Sequence, residues 1–329
     1  MLTVDPADFR AAIRARTRAA AFHLADPRVS LIDVGLRIQE RDGGAVVPEL
    51  TVRVHVRHKP RGVAFQRFAA ANPARVVDED RIGFAVDIIE ADYRLQSLLA
   101  PPARARSRSG IYNPLHGGVS ISNEWFFNFG TLGGKVRDRN TGAEMILSAW
   151  HVLAGAANLP PNLRIYQPGA GDGGWSRYTV ARLTRHAMDA GLDAAVAQLS
   201  GTRPLINDQL GIGPVAGVAV PALGMRVTKS GRTTAVTTGI IDGVEGVQTI
   251  PYGRFERTVQ HIVHIVQAPE GGQVSAAGDS GAWWLAADSR MAVGLHFAGD
   301  DDPEYALAIA MPPVLEALNV DIVTAIERI

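Results

Sequence analysis

The 329-residue chain contains no cysteine. Disulfides, thiol nucleophiles and cysteine metal sites are thereby excluded together. The same absence fits a reducing compartment, and a cytoplasmic protein is the expectation. An excess of charge of one sign is also missing, because 33 Lys plus Arg balance 33 Asp plus Glu. No global field recruits nucleic acid, and no basic–aromatic array supports a nucleic-acid partner. No unbroken apolar run is long enough to cross a bilayer. The opening "MLTVDPADFRAAIRARTRAAAFHL" lacks the apolar core of a signal peptide. No membrane partner is expected.

What is present is a chain that is 47% hydrophobic, enough for a well-buried core. Its length suggests about two domains. Residues 6–25 hold helix formers without internal proline or glycine, so a helix is expected from Pro6. "VSLIDVGLRIQ" and "ELTVRVHVRHK" alternate apolar and polar residues around an Asp-Gly-Gly turn, which reads as a hairpin. A short helix at 63–72 and a strand at "FAVDIIEADY" complete a small α+β unit over 1–97. Residues 98–110, "LLAPPARARSRSG", read as a linker. From Ile111 short strand-like runs recur between glycine turns, in two series over 111–205 and 206–312. Many short strands without long helices argue for antiparallel barrels or sandwiches. Paired prolines and apolar spacing suggest a terminal helix over 313–329.

The stretch "AAGDSGAWWL" (276–285) sets Ser280 between glycines. A serine hydroxyl is a weak nucleophile alone and needs a base, a group orienting that base, and oxyanion donors. His151 in "LSAWHVLAG" follows an apolar strand and titrates in the range a base requires. Asp193 in "AGLDAAVAQL" opens another apolar strand, where a carboxylate needs hydrogen bonds. Asp189 is a competing acid in more loop-like surroundings. The order His, Asp, Ser is that of one known triad class.

These three motifs resemble those of trypsin-like serine peptidases of the chymotrypsin fold. "GTLGGKVRD" and "KSGRTT" resemble further landmarks of the bacterial branch, and the likeness covers roughly residues 111–312. The leading segments "IDVGLRI", "VRVHVRHKP" and "VDIIEADY" are similar to those of the plant narrow-leaf proteases and their bacterial relatives. The resemblance implies a mainly β fold: a chymotrypsin-like double antiparallel β-barrel with a small N-terminal α+β domain and a C-terminal helix. It implies a serine endopeptidase with an acyl-enzyme intermediate. Ser280 is then the nucleophile, His151 the base and Asp193 the orienting acid, with Gly278 and Ser280 N–H groups as oxyanion hole. The partner is a protein or peptide substrate, and no cofactor is implied. A homo-oligomer fits the narrow-leaf likeness.

Two departures stand out. Trypsin pairs the acid before its nucleophile with a newly cut N-terminus. Here a full domain comes first, so Asp279 needs an internal donor or a cut within "ARARSRSG". Trp150 precedes the base where a small residue is usual, and either restricts subsites or packs. Alignment on Ser280 puts Val274 and Ser275 at the base of the primary pocket, and "VGLHFAG" along its other wall, with His296, Phe297 and Ala298. No acid lies there, so a taste for Arg or Lys is not expected. His296 with Ser275 suggests an acidic preference; the alternative is a histidine packed in its strand. The edge of "VGLHFAG" is suited to pair with an extended peptide.

"HIVH" (261–264) and "HVRH" (55–58) put histidines on opposite faces of strands, so no metal site is expected. "GDDDPEY" (299–305) reads as a solvated turn rather than a calcium loop. Two further readings stand beside the active protease. One is a protease-fold scaffold whose N-terminal domain mediates assembly. The other is a latent protease whose first domain or linker covers the cleft.

Overall fold

The computed structural model describes residues 4–41, 45–59, 79–95, 108–156, 159–160, 162–253, 255–300 and 305–324. The helix expected at 63–72, most of the 98–110 segment and Asp301–Asp302 lie outside these residues. Asp5 begins the first helix by accepting the Ala7 N–H at 2.7 Å. Pro6 takes the first helical position, where its missing N–H costs nothing, and the helix runs Pro6–His23. Ala12, Ala15, Ala19 and His23 form its buried face at helical spacing.

The alternating runs form the strands Val29–Arg41 and Ala45–Val56, antiparallel from Val29↔Val56 through Leu36↔Leu50. Val86–Glu90 adds to the second of them in parallel. Ile32, Val52 and Val54 pack with Ala15, Ala19, Ile82 and Val247 in one apolar cluster. Each buried branched side chain there contributes about 1.5–3 kcal/mol.

The remainder is mainly β, in two barrel-like sheets followed by a C-terminal helix, the chymotrypsin-like arrangement that the resemblance implies. The first sheet runs Val320–Ile322, Gly134–Asp138, Glu144–Ser148, Ala195–Leu199, Thr179–His186, Arg164–Tyr166, Ser120–Asn123 and Gly130–Thr131. The second closes on itself. Its order is Arg226–Gly231, Trp283–Ala286, Met291–Asp300, Tyr305–Ala310, Phe255–Gln267 and Ala235–Tyr252, and the last pairs with the first.

Besides Phe255–Gln267, Ala235–Tyr252 serves two further neighbours along its length. Its first part pairs with Arg226–Gly231. Further along, Gly243, Val244 and Val247 pair with Gly35, Val34 and Ile32. The N-terminal sheet therefore continues directly into the second barrel. A second junction lies at Tyr93–Leu95, which pairs antiparallel with the end of Met291–Asp300 through Leu95↔Ala298, Arg94↔Gly299 and Tyr93↔Asp300.

The terminal helix is shorter than its sequence suggests. It covers Met311–Ala317, after which Val320–Ile322 pairs with Gly134–Asp138 of the first barrel. The apolar positions at 320 and 322 continue a helical spacing, but strand pairing overrides local preference. Among the described residues no helix is long and apolar enough to cross a membrane.

Candidate active site

Register explains how the first two candidate residues meet. Glu144–Ser148 and Ala195–Leu199 are neighbours, with Ser148 opposite Ala195. The residues just beyond these ends, His151 in the helical turn Trp150–Leu153 and Asp193, therefore face one another. His151 Nδ1 lies 2.6 Å from Asp193 Oδ2, and the His151 backbone N–H donates to Oδ1 at 3.0 Å. A carboxylate only accepts, so Nδ1 carries the proton and Nε2 is left as the basic nitrogen. Nε2 is buried and has no hydrogen-bond partner among the described residues. Asp189 is exposed in the turn Met188–Ala190 and takes no part.

A third donor, absent from the sequence reading, completes the carboxylate. Tyr252 at the end of Ala235–Tyr252 donates its hydroxyl to Asp193 Oδ2 at 2.7 Å. Burial, and next the adjacent Asp193 charge, raise this phenol well above its ordinary range, so it stays protonated. Trp150 packs edge-on against Tyr252 at 5.4 Å and against His186 at 6.2 Å. It also lines a cavity of about 220 Å³ together with Phe126, Tyr252 and Phe255, so packing and a limit on neighbouring subsites both fit its position.

The turn around Ser280 needs its glycines. Gly278 and Gly281 hold φ of 98° and 96°, a region costly for side-chain-bearing residues. A Cβ on Gly278 would stand 2.5 Å from the Phe129 ring, and one on Gly281 2.0 Å from Ser148 Oγ. The Thr131 N–H donates to the Ser280 carbonyl, and the Thr131 hydroxyl to the Gly278 carbonyl, both at 2.8 Å. This fixes the turn that holds both candidate oxyanion donors. Ser280 is fully buried, and its hydroxyl donates to the Phe297 carbonyl at 3.3 Å rather than to His151. Catalytic hydrogen bonds often close only when substrate binds.

Asp279 has its internal donor. The fully buried carboxylate accepts from Lys229 Nζ at 2.8 Å, the Thr234 hydroxyl at 2.6 Å, and the N–H groups of Thr233, Thr234 and Ala276 at 2.8, 3.1 and 3.1 Å. Burial alone would raise its pKa, but the Lys229 charge and these bonds hold it below the usual carboxylate range. Lys229 comes from the "KSGRTT" stretch. No newly cut N-terminus is needed to satisfy this acid.

The expected pocket residues Val274, Ser275, His296, Phe297 and Ala298 are all buried, and the Ser275 hydroxyl has no partner among the described residues. His296 Nδ1 accepts a long bond of 3.5 Å from the Trp284 indole. Burial, and next the Lys229 charge, push His296 down to about 3. It is neutral at pH 7 and offers hydrogen bonding but no charge. The strand edge expected to receive a peptide is occupied at Ala298–Asp300 by Tyr93–Leu95.

Tyr93 is itself anchored in a closed ring of buried polar groups. Its hydroxyl meets His55 Nδ1 at 2.8 Å and His264 Nε2 at 2.7 Å. His264 Nδ1 bonds Asp242, Asp242 Oδ2 accepts from Arg53 at 2.7 Å, and Arg53 forks onto Asp33 at 2.8 and 2.5 Å. His55 Nε2 returns to Asp33 at 3.3 Å. Burial opposes the Asp33 charge, but Arg53 and His55 outweigh it and hold Asp33 far below the ordinary range.

No protein-family model and no curated protein matches the sequence. Among solved structures, the chain is similar to serine proteases. Thermobifida fusca protease A has a TM-score of 0.47 and 18% identity, over 64% of this chain and all of that one. Cellulomonas bogoriensis chymotrypsin has a TM-score of 0.47 and 19% identity over the same shares. A glutamic acid specific serine protease, described as binding substrate through a histidine triad, has a TM-score of 0.48 and 22% identity over 64% of this chain.

Proposed function

We propose that the protein is a serine endopeptidase acting on protein or peptide substrates through Ser280, His151 and Asp193. The carrying observation is a buried imidazole with Nδ1 tied to Asp193 at 2.6 Å and Nε2 open. Buried polar atoms are nearly always satisfied, so an open basic nitrogen beside a serine turn favours proton transfer. In this reading Ser280 Oγ attacks the substrate carbonyl carbon while its proton passes to Nε2. The N–H groups of Gly278 and Ser280 receive the oxyanion. Collapse expels the amine, which takes the proton from Nε2 and leaves an ester on Ser280. Water, deprotonated by the same nitrogen, attacks that ester and releases the acid. Asp193 fixes the tautomer and stabilises the transient imidazolium. Val274, Ser275, His296, Phe297 and Ala298 would form the pocket. Any acidic preference there would rest on hydrogen bonds from Ser275 and neutral His296.

A specific observation favours latency as a second reading. Ser280 is fully buried, and Tyr93–Leu95 pairs with Ala298–Asp300. Going from Tyr93 to Leu95, the chain heads toward Phe297, whose carbonyl holds the Ser280 hydroxyl. That is the course an incoming peptide would take, so the N-terminal unit keeps the cleft filled.

A fluorophosphonate probe separates the readings. Slow labelling of the full chain, lost in Ser280→Ala and faster in Arg94→Pro, is expected. No labelling in either the natural chain or Arg94→Pro would leave the non-enzymatic scaffold, in which the N-terminal unit mediates assembly. The narrow-leaf likeness makes a homo-oligomer part of the proposal, and light scattering on the full chain checks it.

A further inference from the structure

We propose that Tyr252 is a positioning residue of the catalytic group, holding Asp193 in the geometry that sets the basicity of His151. The inference rests on the endopeptidase reading. Asp193 is fully buried, and its oxygens accept three bonds: two from His151 and one from Tyr252. Without the phenol, the imidazole is the one donor left to Oδ2 among the described residues, and the carboxylate is free to rock about that bond.

The phenol is well placed for this task because its strand is held at several points. Val244 and Val247 of the same strand pair with Val34 and Ile32 of the N-terminal sheet. Gln248 donates to the Tyr93 carbonyl at 3.3 Å. The partner strand Phe255–Gln267 reaches the acid's own loop, with the Gln260 N–H donating to the Gly191 carbonyl at 2.9 Å. The hairpin thus grips the Asp193 loop at two places, and the N-terminal sheet braces the hairpin. Other titratable groups facing this site are His296 and the Lys229–Asp279 pair from the second barrel, and His186 against Trp150. His296 is neutral and Lys229 is paired with Asp279, while His186 is exposed and Arg257 lines the cavity beside Tyr252, so the difference between the natural chain and Tyr252→Phe isolates the phenol's contribution.

Removing the phenolic donor leaves Asp193 more basic and a stronger partner for a protonated imidazole. Tyr252→Phe keeps the ring against Trp150 and removes only the hydroxyl. In that variant kcat should fall about tenfold with KM changed less than about twofold. The acid limb of the Ser280 labelling rate against pH should move up by about half a unit. The His151 Nδ1–H proton resonance of the full-length protein should shift relative to the natural chain. Tyr252→Leu, which also removes the ring, tests whether packing alone matters. An unchanged pH profile and an unmoved Nδ1–H resonance in Tyr252→Phe would overturn the proposal. The resonance can be read whether or not any peptide is cleaved, so failure of both the natural chain and Arg94→Pro to label at Ser280 would sink the endopeptidase reading alone.

Discussion

The molecule contains the same three side-chain types, Asp, His and Tyr, hydrogen-bonded together in two buried places. In the N-terminal junction, Asp33, His55 and Tyr93 belong to a ring in which His55 and His264 have both nitrogens engaged. At the candidate active site, Asp193, His151 and Tyr252 stop short of closing, and His151 Nε2 has no partner among the described residues. The other contrast is charge. Asp33 is neutralised by Arg53, a permanent cation, whereas Asp193 accepts its hydrogen bonds from His151 and the Tyr252 phenol. A closed, charge-paired network holds segments together. An open one keeps a nitrogen ready to take a proton. Residue type therefore says little about role here, and the count of satisfied atoms says much.

The comparison can be broken from either side. The largest effect is expected on the open network: Asp193→Asn should lower kcat by about 10⁴-fold, because the amide favours the wrong imidazole tautomer. Its urea midpoint should change little by comparison. Equal loss of stability and activity would remove the distinction. On the closed network the sign reverses. Arg53→Met leaves the fully buried Asp33 and the half-buried Asp242 without their cation and should cost about 3–5 kcal/mol of stability, read by urea unfolding. A variant as stable as the natural chain would show that the ring is not a structural pin. Lys229→Met should behave like Arg53→Met, at about the same cost, since Asp279 is likewise held by one cation.

A smaller effect concerns pH. Burial, outweighing the pull of Asp33, lowers His55 from 6.5 to about 4. Between those values the unfolded chain binds a proton that the folded chain does not. Stability is therefore lost as pH falls from 6.5 toward 4, at about 1.4 kcal/mol per unit. His296, lowered to about 3, adds a loss of the same sign. Urea midpoints at pH 7.5, 6 and 5 should fall in that order. His55→Gln should flatten the slope, and an unaltered slope would assign it elsewhere.

What could be read in the sequence follows the range of the interactions. The hairpin of Val29–Arg41 and Ala45–Val56 was legible because alternation and an Asp-Gly-Gly turn are local signals. His151, Asp193 and Ser280 stood out because each sits in a short motif, and an internal donor for Asp279 was anticipated. Tyr252 lies 59 residues from Asp193, at the end of a strand with no local mark of chemistry. The ring was equally hidden, since Arg53 and Asp242 are 189 residues apart. Of the pairs "HVRH" and "HIVH", His55, His261 and His264 lie in strands, whereas His58 lies past the end of Ala45–Val56. What they concealed is that the inward members, His55 and His264, converge on Tyr93. The junction of the N-terminal sheet with the second barrel was not legible either, because strand pairing between distant segments leaves no periodic trace in either one.

That junction also bears on any attempt to trim the chain to its two barrels. Cutting away the first 95 residues would bare the backbone of Ala235–Tyr252 around Gly243–Val247 and that of Ala298–Asp300. Both would become raw edges rich in unpaired amides and carbonyls, which invite another chain to add on. A shortened form would consequently be prone to self-association, and its solubility would depend on whatever next covered those borders.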